Sequence, residues 1–298
     1  MRKKNVLIIG ATGLIGHKLL DYFGNSNKYQ VRGTTRQYDP AKTFLPDNLQ
    51  RLLINNIDIN NFDSIIYAFA EAKPDIVLNC AGITKQLIDS NGPMQAIAVN
   101  SLFPHKLASL ATINNARVIH FTTDCVFNGD RGNYTEQNPS DAEDMYGKSK
   151  NLGELCYPNC LTLRTSFIGH ELGTSHGLIE WFMAQKESAK GYSKAIYSGV
   201  PTIELAHILD KYVIENDKLS GLYHLSALPI SKLDLITLVA KEYDKKINII
   251  ADDKVIIDRS LNSDRFQQMT GYTPKSWSEL VNAMFEDYQR CNYYGKYN

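Results

Sequence analysis

The residues in this chain best placed to do chemistry are a phenol and an ammonium on one stretch, Tyr146 and Lys150 in the run Asp144-Met145-Tyr146-Gly147-Lys148-Ser149-Lys150. A spacing of four puts both side chains on one face of a helix. A cation beside a tyrosine favours the phenolate and brings its proton within reach of transfer near neutral pH. Ser140 and Glu143 have the S-x-x-E form of a capping box, and Pro158 is a stop signal downstream, so a helix is predicted between them. Earlier in the chain, Thr122-Thr123-Asp124 sets two hydroxyls and a carboxylate at the end of an apolar strand, Arg117 to Phe121, where a carbonyl-bearing substrate can be held. Taken singly, each motif also suits a solvated helix face or a polar strand end. Their meaning depends on the elements that position them.

Those elements alternate as strand and helix. Val6-Leu7-Ile8-Ile9 runs directly into Gly10-Ala11-Thr12-Gly13-Leu14-Ile15-Gly16, followed by an apolar-periodic segment through Phe23. The glycine spacing permits a tight turn and a close approach of backbone N–H groups to a pyrophosphate, and its last glycine lets helix and strand pack closely. A second strand, Gln30 to Thr35, ends at Arg36. An acidic residue there would hold the ribose of NAD; a guanidinium, with the Thr35 hydroxyl, suits the 2′-phosphate of NADP(H). The turn after Leu52-Leu53-Ile54 offers Asp58 and Ile59 to flank an adenine. After the strand Ile76 to Cys80, the small residues Ala81 and Gly82, with Thr84, lie at the carboxyl end, where open α/β sheets bind their ligands. Cys80 and Asn100, the latter inside a helix predicted from Ala96 to Leu110, and Thr122 complete the expected cofactor shell. Repeated strand and helix patterns predict an α/β fold, a doubly wound parallel sheet of the Rossmann type.

Composition narrows the partners. Lys plus Arg and Asp plus Glu number 32 each in 298 residues, without long like-charged runs, which argues against a nucleic-acid tract or a membrane-surface patch. The first apolar run is too short for a signal-peptide core, and no stretch approaches a membrane span. Five scattered cysteines without C-x-x-C spacing suit a reducing, cytoplasmic setting. Cys156 and Cys160 read as small apolar residues near a helix end. The histidines other than His17 read as structural or surface residues; His17 abuts the glycine loop, where contact with phosphate is the alternative. No metal is expected. The polar, aromatic tail from Tyr288 to Asn298 is predicted to fray.

With glycine loop, T-T-D and Y-G-K-S-K in this order, the chain resembles the extended short-chain dehydrogenase/reductase superfamily, and within it the dTDP-4-dehydrorhamnose reductase branch, almost end to end. The resemblance implies that Tyr146 is the acid/base, that Lys150 lowers its pKa and holds the nicotinamide ribose, and that Thr123 orients the keto group. The family's T-D-Y-V-F-D-G appears as Thr123-Asp124-Cys125-Val126-Phe127-Asn128-Gly129, with Cys125 and Asn128 differing. Its Y-x-E appears as Tyr134-Thr135-Glu136, and Leu161 to Gly169 matches a stretch that contacts nicotinamide and lines the sugar pocket. Thr84, Thr123, Asp124, Cys125, Val126, Glu136, Arg164 and Ser166 are therefore the implied substrate-binding residues. Gly199 to Ala206 and Gly221 to Ser226 also fit. Ala81 to Leu87 and Ser175 to Tyr197 depart from the pattern, and both border the sugar pocket in relatives.

The function so implied is NADPH-dependent reduction of a nucleotide-linked 4-keto-6-deoxy sugar, in deoxysugar synthesis for cell-surface polysaccharide, with the sugar itself left open. Residues 1 to 170 would form the cofactor-binding domain and 171 to 298 mainly a smaller substrate-binding lobe, some of it returning to the sheet. A homodimer is in keeping with the superfamily. Two other readings remain at this stage: a nucleotide-sugar epimerase or dehydratase with tightly bound NAD(P), and a non-catalytic subunit resembling the regulatory subunit of methionine adenosyltransferase.

Overall fold

The computed structural model describes residues 2–37 and 45–294. Seven parallel strands form the central sheet: β1 (Lys4–Ile9), β2 (Tyr29–Thr34), β3 (Leu53–Ile54), β4 (Ile76–Asn79), β5 (Arg117–Thr122), β6 (Cys160–Arg164) and a last strand, Gly221–His224. The apolar runs of the sequence become strands buried on both sides. Ile8, Leu78, Ile119 and Leu161 face one core with Leu19, Leu20 and Phe23 of α1 (Leu14–Gly24), while Leu7, Ile9, Val77 and Val118 face the other with Ile65, Phe69 and Leu107. That alternation is the period-two geometry of a strand covered on both faces.

The strand order is Gly221–His224, β6, β5, β4, β1, β2, β3. The chain leaves β1 toward β2 and β3, then crosses back to place β4 on the other side of β1. That reversal opens a crevice at the carboxyl ends of β1 and β4. The register there pairs Ile9 with Asn79 and Asn79 with His120 in one row, and Thr122 with Arg164 two residues farther along, so the polar strand ends lie in neighbouring rows at the carboxyl edge. The last sheet strand comes from far along the chain and pairs His224 with Arg164. The remaining C-terminal chain forms small sheets, Ser188–Tyr192 with Asn248–Asp252, and Ala195–Tyr197 with Ile230–Ser231 and Ile257–Asp258. Among the described residues no helix is long and apolar enough to cross a membrane.

Three local expectations change. The helix bearing Tyr146 spans Met145–Leu152, and its N-cap is Asp144, whose carboxylate accepts the Gly147 N–H at 2.8 Å. Ser140 instead donates its hydroxyl to Asn151 Oδ1 at 2.8 Å, so the Ser140/Glu143 box does not form and the helix stops before Pro158. The helix predicted from Ala96 to Leu110 is part of a longer run, Lys85–Ala96, which is broken at Gly92 (φ +77°), and Phe103–Ile113, joined by a wide π turn at Ile97–Leu102. The tail is not frayed as far as it is described: after the helix Trp277–Arg290, Cys291, Tyr293 and Tyr294 are buried, while 295–298 lie outside the described residues. Aromatic rings that cover apolar surface offset the entropy that would otherwise loosen a chain end.

Candidate functional site

The glycine loop is shaped as its spacing predicts. Gly10 has φ +79°, which a side chain would strain, and a Cβ on Gly16 would stand 2.0 Å from the Gly10 carbonyl oxygen. The loop is clamped from β2, because Gly10 N–H donates to the Thr34 hydroxyl at 3.1 Å and Ala11 N–H to the Thr34 carbonyl at 2.9 Å. Gly13 caps α1 with no side-chain acceptor and is exposed, so the N–H groups of Leu14, Ile15 and Gly16, in the first turn, are left for an anion. These residues fit a dinucleotide pyrophosphate. Thr12, Leu14 and Ile15 are half-buried around the loop, Thr35 is buried, and Arg36 is exposed at the end of β2, as a phosphate-pairing group must be. Asp58 and Ile59 are half-buried at the end of β3, where Asp58 accepts the Asn60 N–H at 3.0 Å.

From this loop the structure leads to Lys150 and Tyr146. A Cβ on Gly10 would lie 3.2 Å from Ala81, and one on Gly82 would lie 3.5 Å from Asn100 Oδ1 and 3.8 Å from Lys150 Nζ. Gly10, Ala81, Gly82 and Lys150 therefore line one edge in succession, with Cys80 half-buried and Thr84 exposed beside them. Lys150 is 6% exposed and donates to the Phe121 carbonyl at 2.7 Å. Burial lowers its pKa to about 8, with Glu154 acting in the opposite direction. Thr123 Oγ1 accepts the Cys125 N–H at 3.1 Å and donates to Asp124 Oδ1 at 3.1 Å, and Asp124 also accepts the Ser166 hydroxyl. Tyr146 is half-buried above Thr123.

The electrostatics correct one expectation. In the protein alone the Tyr146 pKa is raised, not lowered: burial is the largest cause, the neighbouring Cys125, Asp124 and Asp144 raise it further, and a hydrogen bond with Thr123 lowers it in part. The phenol is thus held protonated.

Several implied substrate contacts are spent elsewhere. Arg164 is 3% exposed and makes a two-pronged pair with Glu154, Nε to Oε1 at 2.9 Å and Nη2 to Oε2 at 2.6 Å, while Nη1 donates to His224 Nε2 at 3.0 Å. A guanidinium taken out of water needs such a partner, and this one has it inside the protein. Val126 is fully buried with Phe127, Tyr134 and Leu261, so its side chain is core. Glu136 accepts the His224 backbone N–H at 2.8 Å and ties the loop to the last sheet strand. Asn100 holds Ile83 through both its amide and its carbonyl, at 2.8 and 3.0 Å, and donates to Ser149 at 3.2 Å. It ties the edge to the helix Met145–Leu152. The wide turn brings Asn100 into place and lets its carbonyl approach Gly153, where a Cβ would stand 1.9 Å away. His17 is fully buried behind the loop, away from any phosphate.

Arg259 lies beside Cys125 and the Phe127 carbonyl and carries no local sequence signal. Half-buried, it donates from Nε to the Phe127 carbonyl at 2.8 Å and from Nη1 toward Cys125 Sγ at 3.6 Å, and its charge helps lower the Asp144 pKa. It reaches the strand-end loop across 134 residues of chain, which only the fold reveals. Lys85, at the start of its helix, pairs with Asp144 at 2.9 Å and bridges the edge to the helix Met145–Leu152.

Comparison with known proteins agrees with this architecture. A family model described as the RmlD substrate binding domain matches residues 4–290. The dTDP-4-dehydrorhamnose reductase of Aggregatibacter actinomycetemcomitans is 26% identical over 301 residues, covering 93% of this chain and 96% of that protein. The spore coat polysaccharide biosynthesis protein SpsK of Bacillus subtilis (strain 168) is 25% identical over 95% of this chain and 97% of its own. Among solved structures, dTDP-4-dehydrorhamnose reductase from Bacillus anthracis str. Ames, in complex with NADP, has the same fold, with a TM-score of 0.78 at 21% identity over 96% of this chain and 99% of that one.

Proposed function

This chain belongs to the RmlD substrate binding domain family, and from that premise we propose that it is an NADPH-dependent reductase of a nucleotide-linked 4-keto-6-deoxy sugar. It is an NAD(P)H-dependent oxidoreductase acting on a keto group, of the extended short-chain dehydrogenase/reductase type, with a nucleotide sugar as substrate. The observation that carries the reading is the continuous edge from Gly10 through Ala81 and Gly82 to Lys150, ending at a tyrosine held protonated over Thr123. The exposed Arg36 at the end of β2 favours the 2′-phosphorylated cofactor.

When bound, NADPH supplies the hydride. In this reading the free N–H groups of Leu14 to Gly16 hold its pyrophosphate, and Lys150, beside Gly82, holds the nicotinamide ribose. Thr123 and Tyr146 hydrogen-bond the sugar carbonyl, Tyr146 passes its proton to the oxygen, and Lys150 stabilises the phenolate that remains. Without substrate the single Thr123 hydroxyl proton rests on Asp124, which also accepts from Ser166, and in this reading it turns to the carbonyl when the sugar binds; Asn100 sets the distance between edge and catalytic helix. Residues 1 to about 170 then serve the cofactor, and most of the chain beyond serves the sugar.

The test is a panel of UDP- and dTDP-linked 4-keto-6-deoxy sugars assayed for NADPH consumption, with product stereochemistry read by NMR. Stoichiometric loss of the NADPH absorbance with one of them supports the reading and names the sugar. Conversion of sugar without net change in absorbance replaces it with an epimerase or dehydratase. Absence of turnover across the panel, together with capture of a synthetase partner, replaces it with a regulatory subunit. A place in cell-surface polysaccharide synthesis follows if the product is a deoxysugar donor.

A further inference from the structure

On the side of α1 away from the dinucleotide edge lies a buried polar cluster that no step above uses. Lys18 is fully buried, with its ammonium 2.7 Å from Asp287 and 3.2 Å from Asp21, and it donates to the Tyr293 hydroxyl at 3.2 Å. The same ammonium lies over the rings of Tyr293 and Tyr294, at 5.7 and 5.3 Å from their centroids. Arg290 closes the group by pairing with Asp21 at 2.6 Å and Asp287 at 2.9 Å. Asp21, Asp287 and Cys291 present ligand atoms within 4.8 Å of one another, but Lys18 stands among them at 3.4 Å from the Cys291 sulfur, so the protein supplies its own cation there. Buried charges are tolerable only when all partners are in place, so these contacts form together and strap Cys291 to Tyr294 onto α1.

The strap ends on the glycine loop. Tyr294 OH and His17 Nε2 are 2.8 Å apart, and His17 Nδ1 is 2.9 Å from the Gly13 carbonyl. The tautomer follows from the partners, since a carbonyl only accepts: Nδ1 carries the proton and donates to Gly13, and Nε2 accepts from Tyr294. Burial lowers the His17 pKa to about 4, which keeps the ring in that neutral form. The Gly13 carbonyl and the Leu14 N–H belong to one rigid peptide plane. Holding the carbonyl therefore fixes the direction of the first free N–H that faces the pyrophosphate. The residues of the strap lie beyond position 290, where the match to the family model ends.

We propose that the Cys291–Tyr294 strap positions the pyrophosphate loop, with Tyr294 and His17 acting on the Gly13–Leu14 peptide as positioning residues. The proposal rests on the dinucleotide reading of the glycine loop. In the full-length protein, Tyr294→Phe removes the donor to His17 and retains the ring that covers Lys18, while Tyr293→Phe removes a Lys18 contact and leaves the His17 link intact. Loss of one buried hydrogen bond corresponds to about a three- to tenfold weaker NADPH Kd in Tyr294→Phe, read by fluorescence titration, with kcat at saturating NADPH unchanged. Tyr293→Phe should bind NADPH as the parent does. His17→Asn, which cuts the link from its other end, should reproduce the Tyr294→Phe effect and covers the case in which that variant folds poorly. Equal NADPH affinity in parent, Tyr294→Phe and His17→Asn overturns the proposal. Amide hydrogen exchange at Gly13 and at position 17, whose N–H groups donate to the Gly10 and Gly13 carbonyls at 3.2 and 3.0 Å, measured without cofactor, separates the two readings: it should quicken in Tyr294→Phe and His17→Asn whatever the loop binds. A parent that binds no NADPH while exchange still quickens sinks the dinucleotide reading and leaves the strap as a clamp on the loop; unchanged exchange sinks the strap.

Discussion

Replacing Glu154 with Gln tests whether Arg164 belongs to the substrate or to the fold. Arg164 is 3% exposed, and its side chain meets Glu154 through two contacts, at 2.9 and 2.6 Å, with a third to His224 at 3.0 Å and its guanidinium 4.9 Å from the centre of the Phe127 ring. Taking away one charge strands the other in a low-dielectric setting, which typically costs about 3–5 kcal/mol. Glutamine keeps one acceptor, so Glu154→Gln belongs at the lower end, about 3 kcal/mol. For a chain of this size that is a fall of about 6 °C in the thermal midpoint, at about 2 °C per kcal/mol. The double variant Glu154→Leu/Arg164→Met removes both charges and should regain most of the loss. It should retain a deficit of about 1 kcal/mol, the lower end of the cost of an unmet buried acceptor, because His224 Nε2, which accepts from Arg164, is left without its donor. Thermal and urea unfolding read these values, and steady-state kinetics well below the midpoint should show an unchanged KM for the sugar. Unaltered stability of Glu154→Gln together with a raised sugar KM would refute the reasoning and return Arg164 to the substrate.

Tyr146→Phe should lower turnover by about a hundred- to ten-thousand-fold, the usual worth of a general acid, while the NADPH Kd from fluorescence titration stays near that of the parent; undiminished turnover removes Tyr146 from the chemistry. With the Lys150 pKa lowered to about 8, kcat/KM should be retained below that pH and fall as the pH rises through it and the ammonium is lost; Lys150→Met should abolish that limb of the profile along with most of the activity. The sign for stability is the reverse. The folded chain gives up the Lys150 proton before the unfolded chain does, so between about 8 and the ordinary 10.5 this group adds stability as the pH rises, a slope that Lys150→Met should remove from a series of urea midpoints. Gly16→Ala places a methyl 2.0 Å from the Gly10 carbonyl oxygen, so the turn must open; NADPH binding should be lost even where circular dichroism shows a folded sheet, and normal binding would mean that the loop is not the pyrophosphate site.

Features that depend on neighbours in the chain were legible in advance. The strand at Val6 to Ile9, the glycine turn, the helix after it and the polar end of β5 each follow from local pattern, and the sheet, the loop and the pairing of Tyr146 with Lys150 on one helix are as read. The capping box at Ser140 misled because the same letters serve a loop when a better cap, Asp144, follows; its carboxylate takes the Gly147 N–H and Ser140 goes to Asn151. The wide turn at Ile97–Leu102 has no simple periodic signature, and it is what brings Asn100 against both Ile83 and Ser149.

By itself the sequence determined the kind of chemistry: a tyrosine, a lysine and a strand-end threonine, in an order and at spacings that a Rossmann-type sheet brings to one edge. Tertiary structure decided how each polar side chain is spent. Arg164 and Glu154, ten residues apart, neutralise one another inside the protein. Arg259 arrives from far along the chain to stand beside Cys125, and an apparently loose tail is folded onto α1 by Lys18 and His17. The reason is physical. Local periodicity follows from backbone geometry and can be read along the chain, whereas the free energy of a buried charge depends on which partner the fold delivers to it, and that partner can come from any distance in sequence.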